Sequence, residues 1–478
     1  MQSVHQTLRI FLYVAILVSL WKGFEFSRKF WGNNYSEKKE TFSSDKVDIK
    51  AKNQWIDSLQ NAYSYSPNVE RKEMRKHHQE NPNSAKSTLS DTSETKFTRN
   101  TFLAYPKNNL KTLQYFFSAL QNLENGANEH YRILYFADSQ IEGDRITATL
   151  RTALQEKVGG CGVGLQGFTN ANNIKFSIQQ ENDEKLKNYF LLGKALPEKK
   201  QTYGILGQTY LYSEKDTASY TIFRKSEKAS EKAQKVENIK ILFRNTQTPT
   251  LIEIWESENK LSHKKFEPAS QVHFWAVPLQ TNFSEIKVTW QSANSPEMYA
   301  VALDCNKGIT VDNIPIRGSA GLEFTKMNLS TLQAQAEYLN PCLVILHFGV
   351  NVTMNTTDFT FYERKMLEQI NFLKKAFPRT SFVLVGISDR SQKAGNAFET
   401  YPAVEILCRV QKRIAMQAGC AFWDLYEAMG GKNTMPLWVE KGLASKDYTH
   451  FTLKGAEIIG NMFFEALWSD FQSYKNIQ

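Results

Sequence analysis

The sequence predicts an α/β chain: a doubly wound, mostly parallel sheet in a flavodoxin-like three-layer arrangement, carrying an inserted antiparallel β-sandwich. Three observations lead there. Short apolar runs rich in β-formers alternate with helix-length amphipathic stretches on both sides of residues 171–307. Within that range the texture changes to alternating segments such as Ile239/Ile241/Phe243, Ile252/Ile254 and Ile286/Val288/Trp290, separated by Asn-, Thr-, Ser- and Pro-rich turns. Outside it, the apolar runs end in small or polar residues, where open α/β sheets present their ligand crevice.

At 478 residues the chain exceeds one ordinary domain. Arg9 precedes Ile10 to Trp21, an apolar run of twelve closed by Lys22. A spanning helix usually wants about 20 apolar residues, yet no small-x-small cleavage site follows. Residues 1–32 therefore read as an uncleaved signal anchor with the bulk of the chain exported; a cleaved signal is the alternative. Residues 33–100, rich in Ser, Lys, Glu and Asn, read as a solvated tether with a short helix around Gln54 to Ala62. Of the formal charge of +9, the first hundred residues supply +5 (16 Lys+Arg against 11 Asp+Glu). A basic juxtamembrane segment accounts for that balance better than a nucleic-acid groove, for which there is no motif. The five cysteines, Cys161, Cys305, Cys342, Cys408 and Cys420, form no CxxC pair, and the last three lie in apolar runs typical of buried thiols. The odd count does not suggest a disulfide scaffold, one bridge stays open, and neither a metal site nor a cofactor site is signalled.

Folded structure is expected from Thr101, in a domain formed by residues 101–170 and 308–478. Leu110 to Leu123 has helical spacing, and Ile133 to Phe136 is a short buried strand that stops at Ala137-Asp138-Ser139. A helix follows from Asp144 to Val158, with Ile146, Leu150, Leu154 and Val158 on one face and Gly159-Gly160 as its stop. The glycines of 162–167 follow a helix rather than a strand and lack GxGxxG spacing, so they read as a tight turn. In the insert, Lys225 to Lys240 reads as a solvated loop. Trp255, Phe274, Trp275 and Trp290 are assigned to core ahead of sugar stacking. Beyond Gly308, an extended Ile309 to Ile316 leads into Arg317-Gly318-Ser319-Ala320-Gly321. Helix Leu329 to Leu339 and strand Leu343 to Phe348 come next, the strand ending at Gly349-Val350-Asn351. Helix Phe361 to Phe377, strand Phe382 to Gly386, helix Val404 to Gln417 and strand Ala421 to Trp423 follow, and a last helix spans Lys454 to Trp468.

Two stretches carry chemistry. Ser139 stands at the carboxyl end of a buried strand just before a helix, where backbone N–H groups and a positive dipole end suit a developing oxyanion. About three hundred residues later, Asp447-Tyr448-Thr449-His450 lets a carboxylate and an imidazole of one turn meet, leaving the second ring nitrogen for a serine. The bland alternatives are helix caps for all three. His347 reads as a satisfied core histidine.

An Asp-Ser stretch near the start and Asp-x-x-His near the end resemble the SGNH (GDSL-type) hydrolase family. Within it the likeness is to peptidoglycan O-acetylesterases and related O-acetyltransferases, on 154–164 with its glycine-rich turn, Phe422 to Gly431, and Asp447 to Thr452. The resemblance implies Ser139 as nucleophile, His450 as base, Asp447 as its orienter, and an oxyanion hole from Ser139 N–H, Gly318 N–H and the Asn351 amide. It also implies an acylated envelope glycan as substrate, a possible carbohydrate-binding role for the insert, and a place on the periplasmic side of the inner membrane, or secretion if the signal is cleaved. Two residues depart from the family pattern: Ala137 replaces the usual glycine, and Val352 a frequent acidic residue. The added methyl of Ala137 is expected to strain the turn. Three activities stay open: an esterase, an O-acetyltransferase with the same triad, and a non-catalytic glycan-binding protein.

Overall fold

The computed structural model describes residues 49–63, 102–169, 176–212, 218–245, 247–279, 283–352 and 356–477. Helices α1 (Ile49–Ala62) and α2 (Gln114–Glu124) precede the first strand, β1 (His130–Ala137), which is buried from Tyr131 onward. Because helices cover both faces, every position must be apolar or paired, and Ile133-Leu134-Tyr135-Phe136 meets that demand. After a tight turn, α3 (Arg145–Val158) leads into the insert.

The insert comprises β2 (Gly162–Gln166), β3 (Ile178–Asn182), β4 (Leu186–Phe190), β5 (Gln208–Tyr212), β6 (Ala218–Lys225) and β7 (Asn238–Arg244). It is completed by β8 (Thr250–Glu256), β9 (Asn259–Phe266), β10 (His273–Pro278), β11 (Glu285–Gln291) and β12 (Glu297–Asp304). One antiparallel sheet runs β10-β7-β12-β5-β4 with β2 on β12, the other β3-β6-β11-β8-β9. Their facing sides enclose Phe168, Ile241, Phe243, Val288 and Trp290. Trp290 is core, as expected. Trp255 and Trp275 are half-buried, and Phe274 stacks on Tyr338 at 4.8 Å between ring centres.

The chain then returns as β13 (Gly308–Pro315), α4 (Leu329–Leu339), β14 (Pro341–His347), α5 (Thr360–Ala376) and β15 (Ser381–Val385). A hairpin, β16 (Ser391–Ala394) and β17 (Ala397–Thr400), precedes α6 (Pro402–Ala418), β18 (Ala421–Trp423) and α7 (Leu453–Lys475). The central sheet has the order β13-β1-β14-β15-β18, all parallel. Side chains alternate across it. Ile133, Tyr135, Ile345 and Val383 meet α2, α3 and α7, while Leu134, Phe136, Val344 and Leu384 meet α4, α5 and α6.

The junction between sheet and insert is built from covalent and ionic links. Cys161 and Cys305, 144 residues apart, are disulfide-bonded where the insert leaves and rejoins the core. Beside them Arg132 of β1, fully buried, holds Asp312 of β13 at 2.7 Å and also pairs with Asp304 of β12, which Lys240 of β7 meets at 2.8 Å. Lys240 is therefore an ion-pair member of a strand rather than part of a solvated loop. The glycine run is β2, not a tight turn. Gly164 has φ +77, and a Cβ there would lie 2.3 Å from Asp312 Oδ1, so only glycine lets this strand pass the buried carboxylate. The insert thus begins at Cys161 rather than at residue 171. Within the expected tether, residues 49–62 form a docked helix: Ile56 and Leu59 are buried, and Trp55 Nε1 donates to Ala428 O at 3.2 Å. The apolar run Ile10 to Trp21 lies outside the described residues, among which no helix is long and apolar enough to cross a membrane.

Arg132→Met would leave Asp304 and Asp312 buried with their strongest partner gone. Urea denaturation should show a loss of roughly 3–5 kcal/mol; a change within about 0.5 kcal/mol would mean that the cluster does not lock the junction.

Candidate active site

Ala137 lies opposite Pro315 of β13 and His347 of β14, so the turns after these three strands emerge side by side. Two bonds extend the pairing past the strand ends: Ile316 N donates to Ala137 O at 2.7 Å, and Asp138 N to His347 O at 3.3 Å. Ser139, Gly318 and Asn351 therefore share one rim, as the sequence predicts.

Asp138 shapes the first turn. Its carboxylate accepts from Gln140 N at 3.0 Å. Burial pushes its pKa up to about 6, opposed by the Gln140 N–H, the His450 ring and the N–H groups of Gly349 and Val350. The carboxylate thus lies between the Ser139 turn and the turn that carries Asn351. Ala137 is fully buried as the last strand residue and is absent from the residues at positive φ, so its backbone does not require the family's glycine. Val352 is half-buried, its N–H closing a turn to Gly349 O at 2.9 Å.

The distant stretch arrives at the same place. Ser139 Oγ is 2.7 Å from His450 Nε2, and His450 Nδ1 is 2.7 Å from Asp447 Oδ2. The other Asp447 oxygen accepts from the N–H groups of Thr449 and His450, both at 3.0 Å. Burial raises the Asp447 pKa, but the His450 N–H and ring and the Thr449 N–H outweigh it and hold the carboxyl below its ordinary value. An ionised Asp447 fixes the tautomer: Nδ1 carries the proton and Nε2 is the acceptor facing Ser139. The β16–β17 hairpin braces this loop. Tyr448, at φ +54, stacks on Phe398 with ring centres 3.6 Å apart, and Ser391 N donates to Tyr448 O at 3.0 Å.

The remaining two residues also separate from their neighbours. Gly318 and Gly321 both have φ +80, but a Cβ at Gly321 would meet the Phe348 ring at 2.8 Å, whereas one at Gly318 would meet open space. Gly321 is thus a packing glycine, and Gly318 is exposed on the rim. Asn351 Nδ2 donates to Ser319 O at 3.0 Å, which ties its amide to the Gly318 turn. His347 is buried beside Tyr135 OH at 3.1 Å, and burial pushes its pKa down to about 3, a core histidine as expected. Among the described residues the one cluster of metal-type donors is Cys161, Glu237 and Cys305, and its two sulfurs are bonded to each other.

Sequence reasoning missed two braces. Gln140 Nε2 donates to Thr449 O at 2.8 Å and to Ser388 Oγ at 3.3 Å. Arg145 donates to Ser139 O at 2.5 Å, Phe451 O at 3.0 Å and Glu142 O at 2.9 Å. Their closeness to Ser139 was a usable signal, but their partners 306 to 309 positions away were not readable from one sequence. Chemically, the arrangement allows a hydroxyl to give its proton to an oriented imidazole as its oxygen attacks an electrophile. Arg145→Ala removes three donors shared between the two stretches. Hydrogen exchange should speed up about tenfold or more across 445–451 with β1 unaffected; unchanged exchange in that loop would make Arg145 a packing residue only.

No family model matches the chain, and no curated protein does. Among solved structures, a peptidoglycan O-acetylesterase superposes with a TM-score of 0.61 at 20% identity, covering 75% of this chain and 96% of that one. An acetyl xylan esterase and a GDSL-like lipase from Parabacteroides merdae each align with 33% of this chain and with 81% and 72% of their own, at 17% and 18% identity. Their TM-scores of 0.25 and 0.23 carry no argument. At 20% identity the likeness to the peptidoglycan O-acetylesterase is one of fold: over 75% of its length the chain has the fold of that structure.

Proposed function

We propose that the chain is a serine ester hydrolase of SGNH type that removes O-acetyl or other short acyl groups from a cell-envelope glycan. The observation that carries this reading is the unbroken relay from Ser139 Oγ through His450 to Asp447, each link 2.7 Å. In this mechanism His450 Nε2 takes the Ser139 proton as Oγ attacks the acyl carbon. Ser139 N–H, Gly318 N–H and the Asn351 amide stabilise the oxyanion, and Asp447 stabilises the imidazolium. The tetrahedral intermediate collapses, and His450 returns the proton to the departing sugar oxygen. Water, activated by the same imidazole, then releases the carboxylic acid and restores Ser139.

Likeness in fold to a peptidoglycan O-acetylesterase supports the acyl glycan in this reading. A place on the periplasmic side of the inner membrane, held there by residues 1–32, belongs to the same reading. The Cys161–Cys305 bond supports the oxidising side, because disulfides persist in such compartments.

The test is acetate release from O-acetylated peptidoglycan by the purified chain. Ser139→Ala should lower the rate by about 10³-fold or more, and Asn351→Ala by about 10²–10³-fold in kcat, with far-UV circular dichroism unchanged. Hydrolysis that survives Ser139→Ala would remove Ser139 from the chemistry, and glycan binding without acetate release by the wild type would leave a glycan-binding protein. Faster acyl transfer to an added oligosaccharide than to water would reassign the same triad to a transferase.

A further inference from the structure

The rim has a fourth turn. Val385 of β15 pairs with His347 of β14, so the chain beyond β15 emerges beside the turn that carries Asn351. Its stretch Ser388-Asp389-Arg390-Ser391 reaches each of the segments that bear Ser139, Asn351 and His450. Ser388 Oγ accepts from Gln140 Nε2 at 3.3 Å, one residue past Ser139. Arg390 Nη1 donates to Val350 O, the carbonyl immediately before Asn351. Ser391 N donates to Tyr448 O at 3.0 Å, between Asp447 and His450.

Arg390 is itself held from several sides. Asp389, fully buried, accepts from Thr400 Oγ1 at 2.7 Å, Thr434 N at 2.9 Å and Met435 N at 2.7 Å, which fixes the backbone leading into Arg390. Tyr401 N donates to Arg390 O at 3.1 Å, and the guanidinium lies over the Tyr401 ring, 4.6 Å from its centre. Arg390 is only 9% exposed, so its charge serves the protein interior rather than a bound glycan. A charged donor makes a stronger bond to a carbonyl than a neutral one does. Val350 is buried too, which makes the loss of that donor costly. Because the peptide bond is planar, holding Val350 O also sets the direction of the Asn351 backbone. The side chain has its own hold, from Asn351 Nδ2 to Ser319 O at 3.0 Å. One restraint on the backbone and one on the side chain together place the Asn351 amide.

We propose that Arg390 is a positioning residue for ester hydrolysis: through Val350 O it sets the Asn351 amide where the oxyanion beside Ser139 and His450 will form. Arg390 touches none of the reacting atoms and acts only through the turn it holds. Lysine would not replace it, because a point charge lacks the planar fork that stacks on Tyr401 while donating to Val350 O. The oxyanion appears only as the acyl carbon becomes tetrahedral, so a misplaced amide slows the chemical step and leaves binding of the ester as it was. A shift of about 1 Å in such a group is enough to cost about 10²-fold in rate. This role rests on the ester-hydrolase reading of Ser139 and adds to it a residue that lies in neither of the two stretches bearing the triad.

The test is a double-mutant cycle on the full chain, read by steady-state hydrolysis of 4-nitrophenyl acetate. Arg390→Ala should lower kcat by about 10²-fold with KM within about twofold of wild type. In an Asn351→Ala background the same change should cost less than about threefold, because the group it positions is already gone. Losses that multiply across the two positions, a loss confined to KM, or wild-type activity in Arg390→Ala overturns the role. If circular dichroism shows that Arg390→Ala does not fold, Arg390→Lys takes its place in the cycle, with a loss of about tenfold expected and the same results overturning it. If the wild type leaves the aryl ester intact, the esterase reading falls by itself. Hydrogen exchange across 349–352 then decides the hold on Val350: exchange about tenfold or more faster in the Arg390 variant supports it, and unchanged exchange refutes it.

Discussion

Parallel pairing of β1 with β13 on one side and β14 on the other governs everything that happens at the rim. The register sets Ala137 against both Pro315 and His347, so the three following turns leave the sheet at one level. A slip of one residue would send Ile133 and Tyr135 to the face now filled by Leu134 and Phe136, which the two different helix layers would not accept. Register is thus set by core packing, and the positions of Ser139, Gly318 and Asn351 are its consequence. Asp138 refines the first of these turns, its buried carboxylate accepting from Gln140 N at 3.0 Å.

The same strand also anchors the insert. Arg132, near the amino end of β1, gathers Asp304 and Asp312, while Ser139 follows its carboxyl end. The disulfide closes the two crossings of the insert beside that cluster. An isolated sandwich on two flexible linkers would not keep a defined relation to the rim. Here two ion pairs on Arg132 and a covalent bond fix its base.

Most of the α/β-domain elements were legible in the sequence because their periodicity is strong. Helix Leu329–Leu339 and strand Ala421–Trp423 fall where the pattern puts them, and the parallel order follows from strands alternating with helices. The Ser139, Asp447 and His450 stretches were legible through residue type and spacing, and the fold brings them together. What escaped detection depends on long-range partners. Glycine-rich 162–167 looks like a turn until β12 and Asp312 are beside it, and Lys240 looks solvated until Asp304 is. The Cys161–Cys305 bond was one open pairing among five cysteines, since nothing local says that residues 144 apart meet. Gln140 and Arg145 carry no motif; their importance lies entirely in the carbonyls they reach.

A hydroxyl and an imidazole 311 positions apart share one proton at the centre of this chemistry. Labelling the intact chain with a serine-directed phosphonate and mapping the adduct tests it most directly. A single adduct on Ser139, formed about 10²-fold or more slowly after His450→Ala, is the predicted result. An adduct on another residue, or labelling of Ser139 indifferent to His450, would contradict it.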